Sequence, residues 1–260
     1  MIGVVQSEAS EPDKASSIAL LERMVAAASQ AGVSILCFPE LFLTGYHVDH
    51  RLHEQAEALD GPSVSRVLEI AKKHGVGVIF GMPERDGTRL FNTAVAVTPT
   101  GRVAGSYRKI HLFGPHEAEV FERGTEHCVI DMCGLRVGLA ICYDIEFPEM
   151  ARELCRAGAQ MICVPTANMQ PFVSVATTLV RARALENGTP VLYSNYCGNT
   201  ETLVFTGGSG IVAYDGTDRA RAGAVGMGLV TCARDSLFPI GPEDALLSTQ
   251  LRDLRLGDGG

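Results

Sequence analysis

Apolar positions in this chain come in short consecutive runs, and amphipathic stretches alternate with them from the first residues onward. IGVVQ at 2–6, VSILCFPE at 33–40 and VGVIFGMPE at 76–84 read as strands in which neighbouring residues are apolar together. Strands of that kind are covered on both faces. Between the first two, a helix is predicted from about Glu11 to Ala31, with Ile18, Leu21, Val25 and Ala28 on one face. DGPSVSRVLEIAKKHG at 60–75 predicts another, with Pro62 near its start and Gly75 just past its end.

The run FNTAVAVTPTGRVAGSYRK at 91–109 reads as a hairpin turning around Pro99 to Gly101. Residues 110–126 hold no sustained period and are expected to form a loop. VIDMCGLRVGLAIC then predicts two strands turning near Gly134. EFPEMARELCRAG predicts a helix, QMICVPTAN a strand, VSVATTLVRARALENG a second long helix and TPVLYSNYC one more strand. SGIVAYDG, RARAGAVG and MGLVTCA read as short antiparallel strands, and a last helix is expected near Pro242 to Asp253. Layered α/β with two sheets between helical layers fits this order as well as one doubly wound sheet does. No repeat or linker divides the chain, so 1–255 is expected to be a single domain and LGDGG at 256–260 a short flexible tail.

Composition agrees with a self-sufficient core. Hydrophobic residues make up 46% of the 260 and charged residues 20%, and a chain of this length buries roughly 70–75% of its unfolded surface. The net charge of −8, with no lysine or arginine cluster, argues against a nucleic-acid partner and for a small molecule. The start lacks a charged segment followed by a long apolar one, and no window approaches about 18 uninterrupted apolar residues, so no membrane partner and a cytoplasmic location are expected. Eight cysteines are spread without a C-x-x-C pair. Most read as small packing residues in a reducing compartment.

Cys142 differs from the other seven. It ends the run GLAI and is followed at once by acids, an aromatic and a proline. A residue at a sharp strand-to-helix turn projects its side chain above the sheet while the next backbone N–H groups point the same way, which suits a nucleophile. Glu40 after ILCFP and Lys109 after GSYR also stand where strands end, the place where ligands gather in layered α/β proteins. A cysteine-phosphatase loop is excluded, because Pro148 stands where its arginine would be. Cys197, in SNYCGNT, has no acid or lysine motif beside it. His47, His50 and His53, with Glu54 beside the last, have a spacing that fits a metal on one helical face or a solvated surface helix.

FPELFLTGY (38–46), YRKIHLF (107–113) and ICYDIEFPE (141–149) together resemble the three signature stretches of the nitrilase superfamily, or carbon–nitrogen hydrolases. The resemblance runs in order from VVQ through NTAVAVTPTG, VPTANM and RARALEN to GGSGIV. It implies a four-layer αββα sandwich with two central β-sheets, no cofactor and no metal. It also implies Cys142 as nucleophile, Glu40 as general base and Lys109 as the cation at the oxyanion, with the backbone N–H of Tyr143 beside it. A second glutamate, counted back from Gly124, is expected at Glu117, with Glu119 as its rival.

The run from VPTANMQPF to VLYSNYCG is most similar to bacterial amidases such as 5-aminopentanamidase and the stereoselective carboxamide hydrolases. That implies an aliphatic or amino-substituted amide. Glu146, with Asn168 nearby, is expected to recognise a cationic or polar end of the substrate. Glu146 reads equally as an acid capping the helix that starts near Phe147. The resemblance also implies a homo-oligomer. A nitrilase forming a thioimidate is the alternative within the class. A metal-dependent hydrolase on the histidine cluster and a non-catalytic binding scaffold are the alternatives outside it.

Overall fold

The computed structural model describes residues 1–9, 13–46, 51–241 and 243–254. Five strands open the chain: β1 (Ile2–Glu8), β2 (Ile35–Cys37), β3 (Gly77–Asp86), β4 (Arg89–Val97) and β5 (Val103–Arg108). β6 (Cys128–Met132), β7 (Leu135–Leu139), β8 (Met161–Pro165) and β9 (Val191–Ser194) follow, and then β10 (Tyr196–Asn199), β11 (Val204–Thr206), β12 (Gly210–Val212), β13 (Asp218–Arg221) and β14 (Gly228–Cys232). They form two sheets. The larger runs β11-β10-β1-β2-β3-β4-β5 with β14 also on β1, and the smaller runs β13-β12-β9-β8-β7-β6.

Alternation along each strand assembles the layers. Val4, Ile35, Cys37 and Ile79 of the larger sheet enter the core shared with the smaller sheet. Their neighbours Val5, Leu36, Val78 and Phe80 enter a second core, beneath helices α1 (Lys14–Gln30) and α3 (Pro62–His74). The short α2 (Arg51–Gln55) precedes α3. On the far side of the smaller sheet lie α5 (Pro148–Arg156) and α6 (Val180–Asn187), through Met150, Ala151, Leu154, Val180 and Ala184. The order is helix, sheet, sheet, helix, the αββα sandwich.

Local signals explain the helix ends. Asp13 caps α1 by accepting from the N–H groups of Ala15 and Ser16 at 3.1 and 3.2 Å, so the helix begins at Lys14 and Glu11 lies outside the described residues. Pro62 sits in the first turn of α3 and Gly75 caps its end.

Three expectations are corrected. Residues 110–126 contain a helix, α4 (Gly114–Val120), whose buried residue is the acid Glu117, so no hydrophobic period announced it. The stretch 189–197 is two strands in different sheets. Asn195 splits it: its side chain donates to Thr206 Oγ1 and Gly207 O at 3.1 and 2.8 Å and accepts from Asn168 N at 2.8 Å. The C-terminal helix consists of a 3-10 turn, Asp244–Leu247, and α7 (Gln250–Asp253); Pro242 lies outside the described residues. Among the described residues no helix is long and apolar enough to cross a membrane.

Candidate active site

Glu40 leaves the end of β2 on a turn tied to both sheets. Phe38 N donates to Ile79 O at 2.8 Å, and Glu40 N donates to Thr166 O at 3.3 Å, across to the end of β8. Its side chain is fully buried. Oε1 accepts from Asn92 Nδ2 at 2.7 Å and from Lys109 Nζ at 2.7 Å. Oε2 is buried without a hydrogen-bond partner among the described residues. A buried acceptor without a partner is costly until a proton or donor reaches it.

Lys109 follows β5. Its N–H donates to Asn92 O and its carbonyl accepts from Gly124 N, both at 2.8 Å. Gly124 is required by this contact, since a Cβ there would lie 2.0 Å from Arg108 O. Lys109 Nζ reaches Glu117 Oε1 at 3.0 Å and Oε2 at 2.9 Å, so one buried ammonium lies between two buried carboxylates. Tyr46 OH donates to Glu117 Oε1 at 2.6 Å and Phe113 N to Oε2 at 2.8 Å. Glu119 is exposed beside His116. The structure therefore places Glu117 in the cluster and leaves Glu119 outside it.

Cys142 opens a 3-10 turn, Cys142–Glu146, after β7, with φ of +48°. A non-glycine residue in the left-handed region costs roughly 1–3 kcal/mol and marks functional turns. Burial pushes the thiol up, and the negative charge of Glu40 pushes the same way; Lys109, the Thr166 hydroxyl and the Ala167 N–H pull it down without prevailing. The direction is toward the neutral thiol, which becomes a nucleophile when a base takes its proton. Burial also raises the Glu40 carboxyl, against the pull of Lys109. Burial pulls the Lys109 ammonium down, but Glu40 and Glu117 outweigh it and hold the group above the ordinary lysine value. Tyr143 is the second residue of the 3-10 turn, so its N–H belongs to the first turn, where helical acceptors are missing.

Glu146 is half-buried, raised by burial, and lies within the fields of Lys109 and Arg183. Among the described residues it makes no salt bridge through its side chain. It does not cap the next helix either: Phe147 is the cap residue and no side chain bonds there. Asn168 Nδ2 donates to Phe172 O at 2.9 Å and Thr206 Oγ1 at 3.2 Å. Both of its amide hydrogens hold the scaffold, so Asn168 shapes the loop that carries Phe172. His47 and His50 lie outside the described residues. His53 is exposed on α2, and among the described residues no group of three metal-ligating side chains assembles.

Sequence reasoning overlooked the residues that hold this cluster. Asn92 is a polar residue inside an apolar strand, an anomaly that asks for a buried partner. Tyr46 and Tyr107 stand inside the quoted motifs but carry no reactive group of their own.

Fold and cluster together define a hydrolase of the αββα type built around a thiol. The chain belongs to the carbon-nitrogen hydrolase family, whose model matches residues 1–237, within the nitrilase superfamily. It is 39% identical to an (R)-stereoselective amidase of Pseudomonas sp over 176 residues, 67% of this chain and 64% of that one. It is 37% identical to a nitrilase of Pyrococcus abyssi over 203 residues, 76% of this chain and 75% of that one. A solved structure of a variant of the amidase from Nesterenkonia sp. AN1, carrying acrylamide added to its active site cysteine, is 33% identical. It covers 98% of this chain and 96% of that chain, with a TM-score of 0.86.

Proposed function

We propose that this protein is an amidase that hydrolyses a carboxamide to a carboxylate and ammonia through a thioester on Cys142. The observation that carries the reading is the fully buried Lys109 ammonium, held between Glu40 and Glu117 by ion pairs of 2.7 and 2.9 Å. An amide is a poor electrophile, so attack needs a thiolate made at the moment of reaction and fixed positive charge where the oxygen becomes negative. Glu40 Oε2 takes the thiol proton as Sγ attacks the carbonyl carbon. The oxyanion lies between Lys109 Nζ and the N–H of Tyr143. As the tetrahedral adduct collapses, Glu40 returns the proton to the leaving nitrogen and ammonia departs. Water then attacks the thioester with Glu40 again as base, releasing the acid and restoring the thiol. Glu117 keeps Lys109 aimed.

Glu146, a half-buried acid at the end of the thiol turn with no salt-bridge partner among the described residues, supports a substrate class. It suits the ammonium of an amino-substituted aliphatic amide. The similarity to an (R)-stereoselective amidase supports the amide over the nitrile. The nitrilase relative at 37% identity supports the second reading, in which the same thiol forms a thioimidate.

The test is a panel of matched amides and nitriles assayed for ammonia on the wild type and on Cys142→Ala, with mass spectrometry of the intact protein. An acyl adduct from amides that is absent in the variant is the expected result. Ammonia from nitriles alone would replace this reading with the second, and turnover by Cys142→Ala would remove the thiol from the mechanism.

A further inference from the structure

We infer that Asp144 is the positioning residue that holds Lys109 in register with Cys142. The inference rests on the roles proposed above for those two residues. Asp144 is fully buried, and among the described residues no lysine or arginine pairs with it. Its two oxygens are divided between two segments of chain. Oδ1 accepts from His111 N at 3.0 Å and faces His111 Nδ1 at 2.7 Å. Oδ2 accepts from Tyr107 OH at 2.8 Å and from Ile141 N at 3.0 Å. Tyr107 and His111 stand two residues on either side of Lys109, and Ile141 immediately precedes Cys142. One carboxylate therefore ties both flanks of the lysine to the turn that presents the thiol.

The chemistry of the site explains why an acid stands there. A carboxylate offers acceptors on both oxygens, and here three definite donors, the Tyr107 hydroxyl and the N–H groups of His111 and Ile141, converge on it. It also reaches back to the N–H that precedes the turn, as the acid of a capping box does, at the residue before the strained Cys142. Asparagine has nearly the same shape but would turn an NH2 toward one pair of donors. With the NH2 on the Oδ2 side, Ile141 N–H loses its acceptor beside Cys142. With the NH2 on the Oδ1 side, His111 N–H loses its acceptor beside Lys109. The Tyr107 hydroxyl cannot adapt freely, because it already accepts from Ile110 N at 3.2 Å. His111 is further fixed by stacking on Phe147, with centroids 4.0 Å apart and 16° between planes. A shift of the lysine relative to the sulfur would act on the transition state, where the oxyanion forms, more than on substrate binding.

The experiment uses Asp144→Asn and Tyr107→Phe in the full chain. Reactive thiol is titrated with iodoacetamide, kcat and KM are expressed per titrated site, and thermal midpoints are recorded. In Asp144→Asn, kcat per site is expected to fall roughly 10- to 100-fold with KM within about threefold, as for small misplacements of reacting groups. The alkylation rate of Cys142 should fall with it. Tyr107→Phe should fall less, and the double variant no further than Asp144→Asn, since both act through one carboxylate. Wild-type kcat and alkylation rate per titrated site, with only a lower midpoint or fewer titratable sites, would reduce Asp144 to a structural residue and overturn the inference. If Asp144→Asn does not fold, Tyr107→Phe decides, and an unchanged kcat per site there overturns it as well. Failure of the amidase reading is distinguishable, because it would show as absent amide turnover in the wild type while the alkylation comparison still reports on the positioning.

Discussion

Gly81 lies directly against Leu41: a Cβ built on the glycine would sit 2.3 Å from the Leu41 backbone nitrogen and 2.8 Å from the Glu40 carbonyl carbon. Leu41 itself has φ of +48°, so the chain turns sharply just after the acid and leans on β3 as it does so. Gly81→Ala must push that turn off the strand. Overpacking of this kind costs roughly 1–3 kcal/mol, and here the displaced group is Glu40. We expect a lower thermal midpoint together with a fall in kcat/KM, measured by calorimetry and by ammonia release. A lower midpoint with full activity would show that Glu40 keeps its place without the close approach.

The two rival glutamates of α4 separate cleanly by exchange. Glu117 accepts from Lys109, Tyr46 and Phe113 and is buried, whereas Glu119 is exposed. Glu117→Gln should lower kcat by about 10²-fold, on the scale of misplacing a catalytic group, here the Lys109 ammonium. Glu119→Gln should leave it within about twofold, as surface changes usually do. Steady-state kinetics of the pair checks this, and equal effects would contradict the placement.

Activity and stability should respond to Glu40 in opposite senses as pH changes. Burial holds the carboxyl above the ordinary carboxylate range, with Lys109 opposing and Glu117 adding to the rise. As base, Glu40 must be ionised, so kcat/KM is expected to fall as pH drops through that raised value. For stability the sign reverses: the folded state binds this proton more tightly than the unfolded chain. The contribution is therefore full below the unfolded value and lost as pH rises through the folded one. Because the charge of Glu117 helps raise Glu40, Glu117→Gln should move the acid limb of Cys142 alkylation to lower pH. A limb that stays in place would mean another group sets it.

Glu146 provides a test of substrate class. Glu146→Gln removes the charge and little of the shape, so KM for an aminoamide should rise by about tenfold, in line with the loss of a charged hydrogen-bonded contact. KM for an uncharged aliphatic amide of equal length should change little. Parallel KM measurements decide it, and equal shifts for both substrates would assign Glu146 a structural role.

Local sequence was enough to place most strands, because residues buried on both faces leave consecutive apolar runs, and most helices, because Pro62, Gly75 and the apolar faces mark them. It also set Glu40, Lys109 and Cys142 apart, each following a strand. Packing of the whole fold settled which acid of α4 is buried, since Glu117 accepts from Tyr46, 71 residues away, as well as from Lys109 just before the helix, and local periodicity is blind to a polar core residue. It likewise decided that Asn195 divides one apolar run between two sheets, and that Asp144 binds the lysine segment to the thiol turn. Those outcomes depend on hydrogen bonds between residues far apart in the chain, which come into existence only when the sheets pack.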